Sequence, residues 1–307
     1  MSNHQDVLSQ LDKKYNKIDQ DLDTHLDGLL HSKPITYWDY INTDALLSLQ
    51  TQRTGLPDEM VFLMYHQVNE LLFKMMLWEL EQLASEKNIS AEFFKERLSR
   101  VSRYFDMLAS SFTVMQDGMD LKQYMKFRDT LTPASGYQSE QYRKIEFAST
   151  EIINLVDNRF RNKTPKDVKL EDAFEDLYWQ AAGKDFKTGK KNYMLTSFED
   201  RYKNELLRFG KTYRTRNLWS IFKALPSKIK EDKGLVDAMR HYDYTVNVTW
   251  VMAHYNAAKH YLTNGGEITE ATGGSDWTKY MHPKYQRRIF FPELWSEQER
   301  EDWGKNL

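Results

Sequence analysis

At 307 residues the chain is long enough to bury a sizeable core as one domain, and with only 13 glycines and 7 prolines to punctuate strands and turns, long helices are expected. Its 43 basic and 45 acidic residues leave a formal charge of −2, which provides no field for nucleic acid and no polybasic patch for a membrane; the first 30 residues are polar and no apolar run is long enough to span a bilayer, so a cytoplasmic protein with small-molecule or subunit partners is expected. The absence of cysteine excludes disulfides, thiolate nucleophiles and thiolate-held metals, leaving any metal to His, Asp, Glu or Tyr.

From Leu8 to Leu29, apolar residues recur at 8, 11, 15, 18, 22 and 29, a three-four seam interrupted by His25 and ended by Ser32-Lys33-Pro34. Residues 1–33 therefore read as a helical arm whose stripe needs another helix; spacing leaves open whether that helix belongs to the same chain or to a neighbouring subunit. A second helix is expected after Asn42-Thr43, carrying Leu46, Leu47 and Leu49. Pro57-Asp58-Glu59 predicts the first turn of a long helix to about Ser85, since proline suits that position and acids offset the dipole. Ser90 caps the next, through Phe93, Leu98, Val101, Phe105 and Leu108. Thr132-Pro133-Ala134-Ser135-Gly136 reads as a turn before helical spacing resumes through Tyr142, Ile145 and Ile152. Residues 158–169 read as a charged surface connection, and Ser197-Phe198-Glu199-Asp200 as a capping box opening another helix. The longest helix is expected from Ile229 to Leu262, ended by Asn264-Gly265-Gly266 and followed by a glycine-rich loop to Trp277. With no strand alternation and no internal repeat, the fold is expected to be all-α, in a single domain over 1–307.

Several chemistries fail on their motifs. Gly210-Lys211-Thr212 has Glu205 where a phosphate loop needs glycine, no histidine stands three residues after a glutamate as a di-iron bundle requires, and neither HExxH nor GxSxG occurs. Two histidines remain of interest. His254 shares a stripe with Val246, Trp250, Ala257, Ala258 and Tyr261, and the small Ala253, Ala257 and Ala258 would let a flat disc approach the helix; His260, six residues on, is the rival ligand. His66 lies on the Pro57 helix, one turn after Phe62 and two before Phe73. A histidine on an apolar face is more often a hydrogen-bonded core residue, and spacing does not separate the readings.

Four segments, taken together, resemble the tryptophan 2,3-dioxygenase family. Tyr37-Trp38-Asp39-Tyr40 is similar to its paired tyrosines. Asp58-Glu59-Met60-Val61-Phe62, His66-Gln67 and Glu70-Leu71-Leu72-Phe73-Lys74 resemble its DExxF, HQ and ELWFK signature. Arg128 and Pro133-Ala134-Ser135-Gly136-Tyr137-Gln138-Ser139 resemble its arginine and PASGxQS turn, and Trp250 to His254 with Thr272-Gly273-Gly274-Ser275 resemble its WxxxH helix and TGGS loop. They span roughly residues 34 to 280 in the family's order. Leu72 in place of tryptophan, Pro57 where histidine often stands, Ala271 in place of glycine and a longer interval from His254 to Thr272 depart from the pattern.

The resemblance implies a helical bundle around a pocket for heme b, active as Fe2+, with His254 as the iron ligand and Ser135 near the heme edge. It implies His66 as the distal catalytic residue facing the indole N–H; Phe62, Tyr37 and Tyr40 enclosing the ring, the two tyrosines from a neighbouring subunit of a homotetramer; Tyr124 and Arg128 on the substrate carboxylate; and Thr272 near the amino-acid backbone. The implied reaction joins L-tryptophan and O2 to give N-formyl-L-kynurenine, the first step of the kynurenine pathway. The residue types suit it: side chains cannot activate dioxygen, so a cofactor must, and arginine's planar fork suits a carboxylate. A glycine-rich loop can approach a ligand and close over it, or merely connect. A histidine-ligated heme monooxygenase acting on tyrosine or a substituted tryptophan, and a heme-free helical scaffold, stand as alternatives.

Overall fold

A computed structural model describes residues 3–132, 134, 136–264, 267–268 and 281–305. The fold is all-α: among the described residues the only paired strands are Thr263–Asn264 and Glu267–Ile268, antiparallel. Two compact units divide the chain, Met1–Gln50 and Thr51–Leu307. No helix among the described residues is long and apolar enough to cross a membrane.

In the first unit the expected seam is not continuous. It breaks into helices His4–Asn16 and Leu22–His31, because Asp19 takes a left-handed φ of 53° and the Asp21 carboxylate accepts from Thr24 N at 2.9 Å, starting a new helix. Thr36 then caps Tyr37–Ile41, a helix the spacing did not predict, and the left-handed Asn42 precedes Thr43–Leu46 without capping it through its side chain. No described residue of this unit is buried.

The second unit opens, as expected, on the helix Pro57–Ser85, followed by Ala91–Ser111, whose cap Ser90 accepts from Phe93 N at 3.1 Å. Three expectations shift. The helix placed at Ser197 begins at Tyr193, because the Asn192 side chain accepts from Leu195 N at 3.0 Å. Residues 158–169 are not merely a surface connection: Asn158–Arg161 is a short helix, and the Arg161 guanidinium reaches inward to Val156 O and, at 2.8 Å, Arg287 O. The long helix begins at Lys233 rather than Ile229, capped by Asp232, and its α-helical segments Lys233–Tyr244 and Trp250–Leu262 are joined by a π turn, Thr245–Thr249. Three β-branched side chains in that turn, Thr245, Val246 and Val248, are buried, and the shift of register sets the rotation of Trp250–Leu262.

Among the described residues three apolar clusters form in this unit, the least of them Val248, Ile289 and Trp303, and the other two organise the site. One joins Phe73, Phe105, Tyr142, Tyr178, Trp179 and Val246 among many others; the smaller holds Tyr65, Phe112, Met115, Phe127, Ala257 and Tyr261. Trp250 packs against both.

Candidate active site

Where the clusters part lies a cavity of about 560 Å3, within the usual range for small-molecule and cofactor sites. His66, His254, Phe62, Tyr124, Arg128 and Gly136 line it together, although they come from four separate stretches of chain.

The signature residues themselves explain the convergence. The Glu59 carboxylate is buried and accepts from Arg53 N at 2.6 Å and Thr54 N at 2.7 Å, clamping the loop ahead of the Pro57–Ser85 helix. Asp58 accepts from Asp120 N at 2.6 Å, while its own N–H donates to Gln123 Oε1 at 3.2 Å, tying this helix start to the helix Leu121–Phe127. Phe62 and His66 follow on successive turns of the first helix; Tyr124 lies on the second, and Arg128 caps its end and opens the 3-10 turn Arg128–Leu131, so the two helix starts aim both pairs at one space. Further on, Gln141 Nε2 donates to both Glu70 O and Glu70 Oε2 at 2.8 Å, and Ser139 caps Glu140–Ser149, which fixes the segment after Gly136.

His66 Nδ1 lies 2.7 Å from Phe62 O; a carbonyl can only accept, so Nδ1 carries the proton and Nε2 is left as the acceptor. The ring is accessible as part of the cavity wall yet densely surrounded, and burial lowers its pKa against the opposing pull of Phe62 O and Glu70. His254 is lowered further, to about 4, first by burial and then by His66. Both imidazoles are therefore neutral near pH 7, the form in which histidine binds a metal.

The His254 ring stacks on Phe112 at 5.5 Å, with Trp250 at 5.9 Å, and has no hydrogen-bond partner among the described residues. Ala257 and Ala258 line the cavity beside it, and a Cβ built on Gly136 would stand 3.6 Å from its Cε1. A neutral imidazole with an unengaged nitrogen, small neighbours and a cavity beside it would suit a tetrapyrrole whose metal that nitrogen would hold. Among the described residues no three His, Cys, Asp or Glu side chains group as a metal site, so a metal on His254 would take its other ligands from a cofactor. The rival His260 is exposed and lines a separate surface depression with Gln116, Asp117 and Lys259.

Tyr124 packs against Tyr261 with the rings tilted at 44° and 4.4 Å apart, and stands 6.0 Å from Phe62; burial raises its pKa while Arg128 lowers it. Arg128 is buried, at 5% exposure. Tyr37 and Tyr40 belong to the first unit, where they are 72% and 73% exposed. Ser135 and Thr272 lie outside the described residues, as do the glycines that were expected to end the long helix. Sequence reasoning missed Phe112, Tyr142, Arg143, Tyr178, Trp179 and Arg288 in the cavity wall; the one signal available was the spacing of Arg143 and Glu146 on one helical face.

This is a helical protein whose cavity unites two imidazoles with a half-buried tyrosine and a buried arginine, a lining that a flat group and an anion would suit. The chain belongs to the tryptophan 2,3-dioxygenase family, whose model matches residues 25–181, half of its length. It is 43% identical over 115 residues to the tryptophan 2,3-dioxygenase of Ruegeria sp. (strain TM1040), covering 37% of this chain and 40% of that protein. To that of Bacillus thuringiensis subsp. konkukian it is 31% identical over 167 residues, 54% of each. To that of Polaromonas sp. it is 40% identical over 121 residues, 38% of this chain and 40% of the relative. The chain thus matches about half the length of these curated relatives or less. The family match contains His66, Tyr124 and Arg128 but not His254, whose part rests on the geometry above.

Proposed function

We propose that the chain opens the indole ring of L-tryptophan with O2, giving N-formyl-L-kynurenine, using heme b held by His254. The observation that carries this reading is the meeting in one cavity of His254, His66 and the Tyr124–Arg128 pair. Ferrous heme, when bound, supplies the activation of dioxygen that side chains cannot. The chain's own work is placement. Arg128 offers a buried two-point contact to the amino-acid carboxylate, with the Tyr124 hydroxyl beside it. His66 Nε2, kept as acceptor by the bond from Nδ1 to Phe62 O, takes the indole N–H, and Phe62, 4.1 Å from the His66 ring, lies along the indole. The aromatic lining excludes water from the reacting carbons.

The reading extends to one domain over 1–307 and to a cytoplasmic homotetramer in which the arm, residues 1–33, packs on a neighbour. Tyr37 and Tyr40, exposed in their own unit, would enclose that neighbour's substrate, with Ser135 near the heme edge and Thr272 near the substrate's amino-acid group.

Heme-loaded, reduced protein given L-tryptophan and O2 is expected to form a product heavier by two oxygen atoms with the absorbance of N-formyl-kynurenine. His254→Ala should lose the normal five-coordinate Soret spectrum, while His260→Ala keeps it and His66→Ala keeps it but loses turnover. A product heavier by one oxygen atom, or an unaltered Soret band in His254→Ala, overturns the reading.

A further inference from the structure

Beyond the groups used so far, the cavity wall contains two more buried guanidiniums, those of Arg143 and Arg288. Arg143, at 4% exposure, sits in a cage of rings, its Cζ 4.7 Å from the centre of Tyr142, 5.6 Å from Tyr178 and 5.8 Å from Trp179. Arg143, Tyr142, Tyr178, Trp179 and Arg288 all line the cavity. The three rings around Arg143 all belong to the larger apolar cluster, whereas Tyr124, which feels the charge of Arg128, packs on the smaller, so the two cations stand on different walls.

The charges here do not balance. Arg143 and Arg288 share one carboxylate, Glu146, which receives Arg288 Nη1 and the Tyr178 hydroxyl on Oε1, and stands 3.1 Å from Arg143 Nη1 through Oε2. Asp243, the next buried acid, is engaged elsewhere, by Phe290 N, Phe291 N, Trp295 Nε1 and Asn247 Nδ2. Arg288 is saturated: besides Glu146 it donates to Asn247 Oδ1 and Tyr178, and to Tyr142 Oη at 2.7 Å. Arg143 is not, for its Nε is buried with no hydrogen-bond partner among the described residues. The indole Nε1 atoms of Trp179 and Trp250, also in the cavity wall, are buried and unpartnered in the same way. Asn69 Oδ1 is an unpartnered acceptor on the wall, but it belongs to the His66 helix. A buried cation without its own carboxylate, beside donors without acceptors, is costly unless a ligand brings the missing charge.

We infer that Arg143, with the Trp179 indole N–H, is a carboxylate subsite of this cavity, and that its occupant is a propionate of the bound tetrapyrrole. This rests on the reading of the cavity as a heme pocket. A carboxylate could also arrive with the amino acid, but that group is already served by Arg128 on the other wall; a porphyrin with two propionates brings one that is not.

The test compares iron protoporphyrin IX with its dimethyl ester, which has the same iron and ring without the carboxylates. Wild type should bind the acid about ten- to hundred-fold more tightly, the value of one charge-assisted hydrogen bond. Arg143→Met should cut that preference to within about threefold while the His254-dependent Soret band remains. Because Arg143→Met removes a buried partner of Glu146, Arg143→Lys is measured beside it: the charge stays, the Nε–H is gone, and a several-fold lower preference is expected. Equal binding of acid and ester by wild type, or an undiminished preference in a folded Arg143 variant, overturns the inference. Arg143 variants that keep the preference but bind L-tryptophan more weakly would assign the subsite to the amino acid and overturn it equally. Wild type that takes up neither pigment overturns the heme reading and this inference together, whereas a wild type that binds both alike leaves the heme reading standing.

Discussion

The two walls of the cavity are held by different forces. On one, Glu146, Arg288, Arg143, Tyr142 and Tyr178 form a buried network in which charge and hydrogen bonds dictate each position. On the other, Phe62, Phe112, Tyr124 and Tyr261 meet through ring contacts, with hydroxyl bonds such as Tyr65 to Ser111 at 3.1 Å at the margin. The residues assigned to substrate, His66, Tyr124 and Arg128, all stand on the wall of rings, where aromatic contacts can readjust around a ligand; the network wall fixes the π turn from which the helix of His254 continues.

This difference is broken most directly at Glu146. Glu146→Gln keeps the volume but leaves two guanidiniums buried without a carboxylate, so it should cost about 3–5 kcal/mol of stability, read from the denaturant midpoint at constant slope. A loss under about 1 kcal/mol would mean that the wall does not depend on its charge. Arg128→Met, on the other wall, should cost less stability than this and act instead on kcat/KM for L-tryptophan, by about 3 kcal/mol or over a hundred-fold. The comparison substrate is tryptamine, which lacks the carboxylate: if its turnover falls as far as that of L-tryptophan, Arg128 is not the clamp.

Much of this arrangement was legible in the sequence, and the exceptions have physical causes. The Pro57–Ser85 helix and the Ser90 cap follow from local rules that depend on few residues. The Ser197 capping box failed because Asn192 offers a competing cap five residues earlier, and the Leu8–Leu29 seam failed because apolar spacing says nothing of an aspartate adopting a left-handed turn at 19. The π turn at 245–249 depends on Asn247 being held by Asp243 and Arg288, the latter 41 residues distant, which no periodicity records. In the site, His66, His254, Tyr124 and Arg128 were nameable through the resemblance to a family. The network wall was not, since Arg143, Tyr178 and Arg288 meet only through tertiary packing, and isolated arginines and tyrosines read as surface residues.

A pH dependence sharpens the contrast further. Asp243 is fully buried, and burial raises its pKa from 3.8 to about 6 despite four hydrogen-bond donors. A folded-state value above the unfolded one means that the native protein binds this proton more tightly. The contribution is therefore fully present below about pH 4 and is lost as pH rises through about 6, at most about 3 kcal/mol for roughly two pKa units. Denaturation midpoints from pH 4 to 7 should fall less with rising pH in Asp243→Asn than in wild type; parallel curves would show that the carboxylate is ionised throughout.

The smallest effect belongs to Tyr124→Phe. The ring keeps its packing against Tyr261, so the fold should be unaffected within about 0.5 kcal/mol, while the hydroxyl near Arg128 is lost. One hydrogen bond from the hydroxyl to the charged substrate carboxylate is worth about 1.5 kcal/mol, giving an expected rise of about ten-fold in KM for L-tryptophan with kcat nearly unchanged, because the contact forms equally in the ground and transition states. A fall in kcat at constant KM would instead place the hydroxyl on the reacting ring, and the wall of rings would then take part in the chemistry rather than only in binding.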